Sequence, residues 1–341
     1  MKREAKINER QKKILYCVVR EYIMTKKPIS SERVLEASDI SCSSATVRND
    51  LRKLEYLGYL NQPHTSAGRV PTDKGYRFYV NETLNLIKEY AQHSASIHSK
   101  YPMTFGDMEK ILTGAAIALS RITKGAVILE KPAIDKLKIL KISIAQITKT
   151  YNVVSVITEL GLVKFIPFRT FGEIDYLSLE RMMNQLLAGY TIETVGDRSI
   201  ETETDQYLLD LSEYLASALK EDSSSNLVKV GLDTLINAEN FNIEEIRKLS
   251  NFFSDDSMLR KILTKAQEIP AIMIGIEHGV EGLENLAIFV DGYKKEDKLM
   301  GKVMVITSKV IKYEDIVSSL KYMVSRLTEY FTVATREEGR K

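Results

Sequence analysis

Apolar residues recur every three or four positions through much of the first sixty residues, a spacing that predicts helices with one buried face. Residues 8–27 form the first such segment and stop before a proline, residues 30–37 form a short second one, and residues 43–60 form the third. Only short turns separate the segments. Three helices in this arrangement predict a helix-turn-helix unit.

The third segment has recognisable start and stop signals. Ser43 or Ser44 can cap its first turn by accepting a hydrogen bond from a free amide group, and Gly58 is suited to end it. One face carries an apolar stripe made of Val47, Leu51 and Leu54. The opposite face carries small residues followed by basic and amide side chains, namely Ser44, Ala45, Arg48, Asn49 and Arg52.

This exposed face predicts contact with DNA. Arg48, Asn49 and Arg52 carry the side-chain groups that read guanine and adenine in a major groove or bind phosphates. Asp50 is expected to orient an arginine rather than to meet DNA. The residues at the start of the helix are small, and are expected to allow a close approach or to support the helix end: Ser44, Ala45 and Thr46. The alternative is an ordinary amphipathic helix whose charges only face solvent.

A short hairpin is predicted directly after this helix. Residues 59–62 are typical of a strand, residues 63–68 of a polar turn, and residues 69–71 of a returning strand. Such a hairpin would form the wing of a winged helix and lie against the DNA backbone or a minor groove. The side chains predicted to make these contacts are His64, Thr65, Ser66 and Arg69.

The same region contains an unusual string, QPHTSAGRVPTDKGYRFY at residues 62–79, preceded by SATVRND at 44–50 and LGYL at 57–60. With these motifs the chain closely resembles the HrcA family of heat-inducible transcription repressors. The resemblance is strong over the first eighty or so residues and continues beyond them in length and in the order of elements. It implies a dimeric repressor of chaperone operons that binds a CIRCE-type inverted-repeat operator in double-stranded DNA. It also implies that the GroE chaperonin keeps the repressor active.

Beyond the wing the pattern alternates between helix and strand. A helix is predicted at 72–90, a polar linker at 91–105 and a further helix from 107. Strands follow at 126–129, 137–144, 153–158 and 163–166. The remaining predicted elements are helices at 177–188, 205–220, 227–238 and 243–265, strands at 271–275, 286–290 and 302–306, and a closing helix at 313–331.

These elements predict an α+β multidomain protein, because a sheet flanked by helices is split by a helical block. The predicted domains are a winged helix-turn-helix at 1–90, a linker at 91–105, a mixed α/β sheet domain at 106–172 and 268–341, and a helical insertion at 173–267. The insertion can bury a face against a second copy of itself. The resemblance further implies that the sheet domain is GAF-like and that the insertion forms a homodimer.

Charge is distributed unevenly along the chain. The formal net charge is +2, but residues 1–80 hold 16 Lys or Arg against 9 Asp or Glu, whereas the other 261 residues hold 32 against 37. A basic N-terminal module on a mildly acidic remainder favours nucleic-acid binding at one end of the molecule.

The signals of several other functions are missing from the sequence. No GxSxG elbow, P-loop or GxGxxG turn is found, so neither an enzyme nor a bound cofactor is expected. The glycines around His278 fit a polar loop with a surface histidine better than a phosphate site. Cys17 and Cys42 lack the partners of a disulfide framework or a zinc site. No membrane span or signal peptide is apparent, which predicts a cytoplasmic protein.

Two other classes of protein remain open. One is a winged-helix regulator that senses a small molecule in its sheet domain, and a ligand that shifted both melting temperature and operator affinity would identify it. The other is an RNA-binding or chaperone-interacting protein whose winged helix docks a protein. The basic face formed by Arg48 and Arg52 argues against this last class.

Overall fold

The computed structural model describes residues 7–64, 67–90, 108–133, 137–170, 174–191, 210–211, 213–215, 217–218 and 226–333. The linker predicted at 91–105 lies outside these residues, as do Thr65 and Ser66 of the predicted wing tip.

The first part of the chain folds into the predicted helices and hairpin. Its elements are α1 (Glu9–Thr25), α2 (Ser31–Glu36), α3 (Ser44–Tyr56), β1 (Leu60–Asn61), β2 (Val70–Pro71) and α4 (Asp73–Tyr90). The strands β1 and β2 pair antiparallel, and a single bridge joins Ile29, just before α2, to Arg69. The predicted helix-turn-helix with a wing is therefore confirmed as a fold.

The rest of the chain mixes helices and strands, as predicted. Its elements are α5 (Met108–Thr123), β3 (Ala126–Glu130), β4 (Ile139–Gln146), β5 (Tyr151–Thr158), β6 (Val163–Arg169), α6 (Tyr176–Leu187), β7 (Leu227–Val230), α7 (Leu232–Ala238), α8 (Ile243–Ser254), α9 (Asp256–Lys265), β8 (Ala271–Ile274), β9 (Leu286–Lys295), β10 (Lys298–Ser308) and α10 (Tyr313–Val333). A short 3-10 turn, Gly275–Glu277, follows β8.

A five-stranded antiparallel sheet in the order β7-β3-β10-β9-β8 forms the centre of this part. Because side chains alternate along a strand, Val127 and Leu129 face α5 and α10, whereas Ala126 and Ile128 face α7, α8 and α9. The first of these two cores is continuous with the core of the winged helix. No helix in the described part of the chain is long and apolar enough to cross a membrane.

The prediction of one continuous sheet is wrong. Strands β4, β5 and β6 form a separate three-stranded antiparallel sheet covered on one face by α6. Strand β3 pairs with β7 on one side and β10 on the other, so β4 cannot pair with the strand that precedes it in the chain. Asn184 and Glu180 of α6 then occupy the free edge of β4, since they accept the amide protons of Ile142 at 2.8 Å and Ile144 at 2.9 Å. The segment that splits the five-stranded sheet is consequently not wholly helical.

Two predicted helices also differ from the structure. Residues 227–230 form strand β7, because their side chains alternate and Gly231, with φ 80°, cannot continue a helix into α7. A Cβ at Gly231 would come within 1.9 Å of the Ser120 hydroxyl. The helix predicted at 243–265 is two helices, with Asp255 ending α8 and capping α9 by accepting the Met258 amide at 3.1 Å.

Candidate nucleic-acid interface

Helix α3 begins and ends where local chemistry requires. Of the two predicted caps, Ser43 is the one used: its hydroxyl accepts the amide of Thr46 at 3.2 Å and lies 2.9 Å from the Thr46 hydroxyl. At the other end Gly58 has φ 77°, and the amide of Tyr59 bonds back to the carbonyl of Leu54 at 3.0 Å. The predicted apolar stripe is buried, with Val47, Leu51 and Leu54 each at most 4% exposed.

The opposite face of α3 is open to solvent. Ala45, Arg48, Asn49 and Arg52 are exposed, whereas Ser44 and Thr46 are half-buried at the start of the helix. Lys53 and Tyr56 extend the same face, and Tyr56 is 89% exposed. Neither residue is among the predicted contacts, although Lys53 follows Asn49 by four positions and Tyr56 follows Arg52 by four. The face thus offers three cations, one amide and one phenol along three turns.

Glu32 of α2 organises the first turn of this face. Its carboxylate accepts the Ser44 hydroxyl at 3.0 Å and the Ser31 hydroxyl at 3.1 Å, and Arg48 lies 3.6 Å away. Its own backbone amide and the hydroxyls of Ser30, Ser44 and Ser31 hold the pKa of Glu32 at about 2. The carboxylate is therefore ionised at any physiological pH, and it draws Arg48 towards the start of the helix.

A second carboxylate fixes α3 to α1. Asp50 is 5% exposed and accepts hydrogen bonds from Arg10 at 2.7 Å and Gln11 at 2.9 Å. Gln11 also completes a capping box with Asn8 at the start of α1. The prediction that Asp50 orients an arginine is confirmed, and that arginine is Arg10. Together with the buried stripe of Val47, Leu51 and Leu54, this contact fixes the rotation of α3 about its own axis and hence the direction of its exposed face.

The Asp50 contact makes the stability of the protein dependent on pH. Burial alone would raise the pKa of Asp50, but the hydrogen bonds from Arg10 and Gln11 outweigh burial and lower the pKa. A lowered folded-state pKa means that the stabilisation is complete above the unfolded value of about 3.9 and is lost as pH falls through the folded value. We expect Asp50→Asn to lower the free energy of unfolding at pH 7 by about 1–3 kcal/mol. In urea titrations between pH 7 and 3, the difference in unfolding free energy between Asp50→Asn and the wild type should become smaller as pH falls.

The matched control for this measurement is Asp39→Asn, because Asp39 is an exposed carboxylate in the link between α2 and α3. Its unfolding free energy should follow that of the wild type across the range. If the difference in unfolding free energy between Asp50→Asn and the wild type stayed constant down to pH 3, the proposed charge-assisted contact would be contradicted.

The wing is held against the module by its base. Ile29 and Arg69 exchange backbone hydrogen bonds at 2.9 and 2.8 Å, and a Cβ on Gly68 would come within 2.4 Å of the Ile29 carbonyl oxygen. At the tip, His64 is exposed and its carbonyl accepts the amide of Ala67 at 2.8 Å. The predicted contacts of Thr65 and Ser66 lie outside the described residues and remain predictions.

Arg69 is placed differently from its predicted role. The residue is 9% exposed, and its guanidinium pairs with Glu55 of α3 at 2.9 Å. A guanidinium already committed beneath the hairpin does not present itself to the DNA backbone or a minor groove. The structure instead makes Arg69 a link between the wing and the last turn of α3.

Arg48, Arg52 and Arg69 line a cleft of about 430 Å³ between α2, α3 and the base of the wing. The two exposed arginines lie on one wall of this cleft, and Gln62 of the wing contributes to the lining. Arginine can donate two hydrogen bonds to a guanine edge and asparagine can bind an adenine edge in the same way. A basic helix face beside a wing is thus a geometry that can read bases and hold the flanking phosphates.

Three helices, a wing and an outward basic third helix define a winged helix-turn-helix protein, here joined to a mixed α/β body. A family model, described as the HrcA protein C terminal domain, matches residues 109–317. The chain belongs to the HrcA family.

Relatives that match almost the whole chain agree with this assignment. A heat-inducible transcription repressor HrcA from Thermotoga petrophila is 40% identical over 97% of this chain and 96% of its own length. One from Thermoanaerobacter pseudethanolicus is 26% identical over 97% of this chain and 99% of its own length. A crystal structure of a hypothetical protein is 38% identical and has a TM-score of 0.69, covering 96% of this chain and 100% of that one. The relatives are named as repressors and not as enzymes, in agreement with the missing catalytic motifs.

Proposed function

We propose that this protein is a dimeric transcriptional repressor of heat-shock chaperone operons. It binds a CIRCE-type inverted repeat in double-stranded DNA through α3 and the wing, and the GroE chaperonin keeps it active. The observation that carries the DNA-binding part is the exposed Arg48, Asn49 and Arg52 face of α3 beside the wing. The relatives' shared name, heat-inducible transcription repressor, supports the choice of target genes.

Residues on this face have different roles in the proposed complex. Arg48 and Asn49 lie near the N-terminal end of α3, which is the part of a recognition helix that reaches base edges, and they read the sequence. Arg52 lies one turn further on and binds a flanking phosphate. The exposed His64 of the wing contacts the neighbouring backbone. Ser44 and Thr46 keep the helix start in place through Glu32 and Ser43.

An inverted repeat requires two copies of the module, and the three-stranded sheet offers a surface for dimerisation. Because side chains alternate, one face of this sheet packs on α6, while the part of the chain that the structure describes leaves the other face open. Leu211 and Leu215, from the described helical residues after α6, also pack on the α6 side. The open face carries apolar residues in neighbouring registers on the three strands: Ala145, Val153, Ile157, Val163, Phe165 and Pro167.

Two of these side chains are unusually exposed for their size, since Phe165 is 65% and Val163 is 45% exposed. Ser143 and Ser155 lie between these apolar residues on the same face. An exposed sheet face that carries several large apolar side chains is typical of a protein interface. The occupant that fits the proposed function is the same face of a second copy, because a two-fold axis through it would pair two winged helices for an inverted repeat.

The experiment that tests the function is a fluorescence-anisotropy titration of a labelled inverted-repeat duplex from a chaperone promoter, beside a scrambled duplex, at two salt concentrations. The repressor reading predicts tight, sequence-dependent binding with two chains per duplex. Weak binding to both duplexes that vanishes as salt rises would leave only a basic patch without base recognition. A small molecule that changed operator affinity and melting temperature together would instead favour a ligand-sensing regulator.

Replacing Arg48 with alanine tests base recognition directly. We expect operator affinity to fall by about 1–3 kcal/mol, with discrimination relaxed at one base-pair position, because a bidentate contact to one base is removed. Titrations against operators substituted at each base-pair position in turn would identify the position that Arg48 contacts. Arg121→Ala, which removes the same charge from an exposed site on α5, should leave the affinity close to wild type. Equal losses on every sequence would reduce Arg48 to a phosphate contact.

A further inference from the structure

Helix α4 belongs to the winged helix and also contacts the body. It follows β2 directly, and its Tyr79 ring lies 4.8 Å from the ring of Tyr16 on α1. Gly75 allows the closest approach, since a Cβ there would come within 2.4 Å of the Tyr59 carbonyl oxygen in the hairpin. The first two turns of α4 therefore move with the recognition helix as one unit.

Arg77, on the second turn of α4, binds the body through three contacts made by two nitrogens of its guanidinium group. Its Nε donates to Glu277 at 2.9 Å, and a second nitrogen contacts the other oxygen of the same carboxylate. That second nitrogen also reaches the carbonyl of Ile272 at 2.5 Å. Glu277 is itself fixed, because it accepts the amide of Ile274 at 2.8 Å. A planar guanidinium held on a carboxylate and a carbonyl restricts rotation as well as distance.

Asp73, at the start of α4, contacts the 3-10 turn that follows β8. Its carboxylate accepts the amide of Ile276 at 3.0 Å and the ammonium of Lys309 at 2.5 Å. Gly275 has φ 56°, and a Cβ at this position would lie 2.0 Å from the Asp73 carboxylate. The turn is therefore shaped around the aspartate, and any larger residue would expel it.

A third contact is made by Tyr79, two positions after Arg77 on α4. The Tyr79 hydroxyl donates to Glu314 of α10 at 2.6 Å, and the rings of Tyr76 and Tyr79 each lie 6.3 Å from that of Tyr313. Burial first, and then the neighbouring Glu314, raise the pKa of Tyr79, so the phenol stays protonated and remains a donor. Polar contacts thus surround a shared apolar centre, and the junction resists both sliding and rotation.

We propose that this junction sets the separation and orientation of the two recognition helices, and that Asp73 and Arg77 are positioning residues for operator spacing. Neither residue belongs to the exposed α3 face, and the inference rests on the proposed operator binding. If only the chain at 91–107 joined the two parts, each winged helix would be a tethered module and would tolerate many half-site spacings. A fixed junction instead transmits the dimer geometry to α3 and selects one spacing.

The test compares operators whose half-sites are moved apart by about 2, 5 and 10 base pairs, the last being one helical turn. Wild type should lose at least about tenfold in affinity at a half-turn insertion. Asp73→Asn and Arg77→Gln should bind the natural operator more weakly and show a flatter spacing profile, with affinity for a single half-site unchanged. Retained half-site binding also shows that the winged helix of each variant is folded.

Two glycines provide a matched pair that separates the junction from general loop damage. Gly275 and Gly279 both have positive φ, at 56° and 76°, so alanine is disfavoured by the backbone at either position. Only at Gly275 would the new Cβ strike Asp73, since at Gly279 the nearest atom is the Lys265 ammonium at 3.9 Å. Gly275→Ala should flatten the spacing profile as Asp73→Asn does, and Gly279→Ala should keep the wild-type profile.

Three results would overturn the inference or its basis, and they can be told apart. Spacing profiles of the Asp73 and Arg77 variants identical to wild type would show that the junction does not position α3. Tighter binding of the natural operator by these variants would make the junction inhibitory rather than positioning. Absence of sequence-dependent binding to the natural operator by the wild type would instead refute the proposed function on which the inference rests.

Discussion

Replacing Phe165 with aspartate is expected to convert the protein to a monomer and to lower its affinity for the inverted repeat about a hundredfold or more. Phe165 is 65% exposed on the open sheet face, near the middle of the outer strand β6, and lies opposite Ser155 on the neighbouring strand. In the proposed dimer this side chain is buried against the second copy. An aspartate there would have to lose its hydration without a partner, which costs several kcal/mol per charge.

The effect on DNA binding comes from the loss of the second DNA-binding module, and not from any change in α3. Two linked modules bind two half-sites with a high effective concentration for the second event, and a monomer loses this gain while its affinity for a single half-site stays the same. Sedimentation velocity would report the oligomeric state of Phe165→Asp. Anisotropy titrations against the full operator and a half-site would report the two affinities.

The control for this variant is Ile243→Asp. Ile243 is 87% exposed at the first position of α8, so the same loss of apolar surface is made away from the sheet, at a helix start where an acidic residue is well tolerated. It should remain dimeric and bind the full operator as wild type does. A dimeric Phe165→Asp would reject the open sheet face as the interface, and a monomeric Ile243→Asp would move the interface to α8.

Features decided by neighbours in the sequence were predictable. The apolar stripe of α3, its cap at Ser43 and its stop at Gly58 all depend on contacts within about one turn of the chain. The exposed Arg48, Asn49 and Arg52 face follows from the same periodicity, since a helix that buries one stripe must present the other to solvent. The mixed α/β character of the remaining chain was likewise visible as changes of period.

Features decided by distant partners were not predictable. The alternation in β4 shows that it is a strand, but it does not show that both edges of β3 are occupied by β7 and β10, which come much later in the chain. Arg69 is basic and sits in a predicted wing, yet its burial depends on Glu55, fourteen positions earlier in α3. His278 was expected at the surface, but it is 4% exposed, its Nδ1 accepts the amide of Val280 at 3.1 Å, and burial lowers its pKa.

The strand β7 shows a signal that was present but missed. Residues 227–230 are apolar except for Lys229, and a helical pattern also accommodates so short a stretch, whereas in the strand Val228 and Val230 pack on one core and Leu227 on the other. The deciding residue is Gly231, whose positive φ ends the strand and whose missing Cβ leaves room for the Ser120 hydroxyl. Treating that glycine as a break would have separated β7 from α7.

Gly68 is the position where one added methyl group should do the most damage to the winged helix. In Gly68→Ala the Cβ would lie 2.4 Å from the oxygen, 2.5 Å from the carbon and 2.7 Å from the nitrogen of Ile29. All three are backbone atoms, so no side chain can turn away and the Ile29–Arg69 bridge must open. We expect unfolding of the module to become easier by about 3 kcal/mol or more, measured by urea titration. Operator affinity should fall with it, because the wing leaves its place beside α3.

The same substitution at Gly114 should have the opposite sign. Gly114 lies exposed in the middle of α5, and a Cβ there meets no atom within 4 Å. Alanine is a better helix former than glycine, so Gly114→Ala should stabilise the protein by about 0.5–1 kcal/mol and leave operator affinity unchanged. Stabilisation by Gly68→Ala as well would mean that the wing does not rest on Ile29. Because Gly68 belongs to the string at 62–79 by which the family is recognised, such a result would also remove the packing explanation for that glycine.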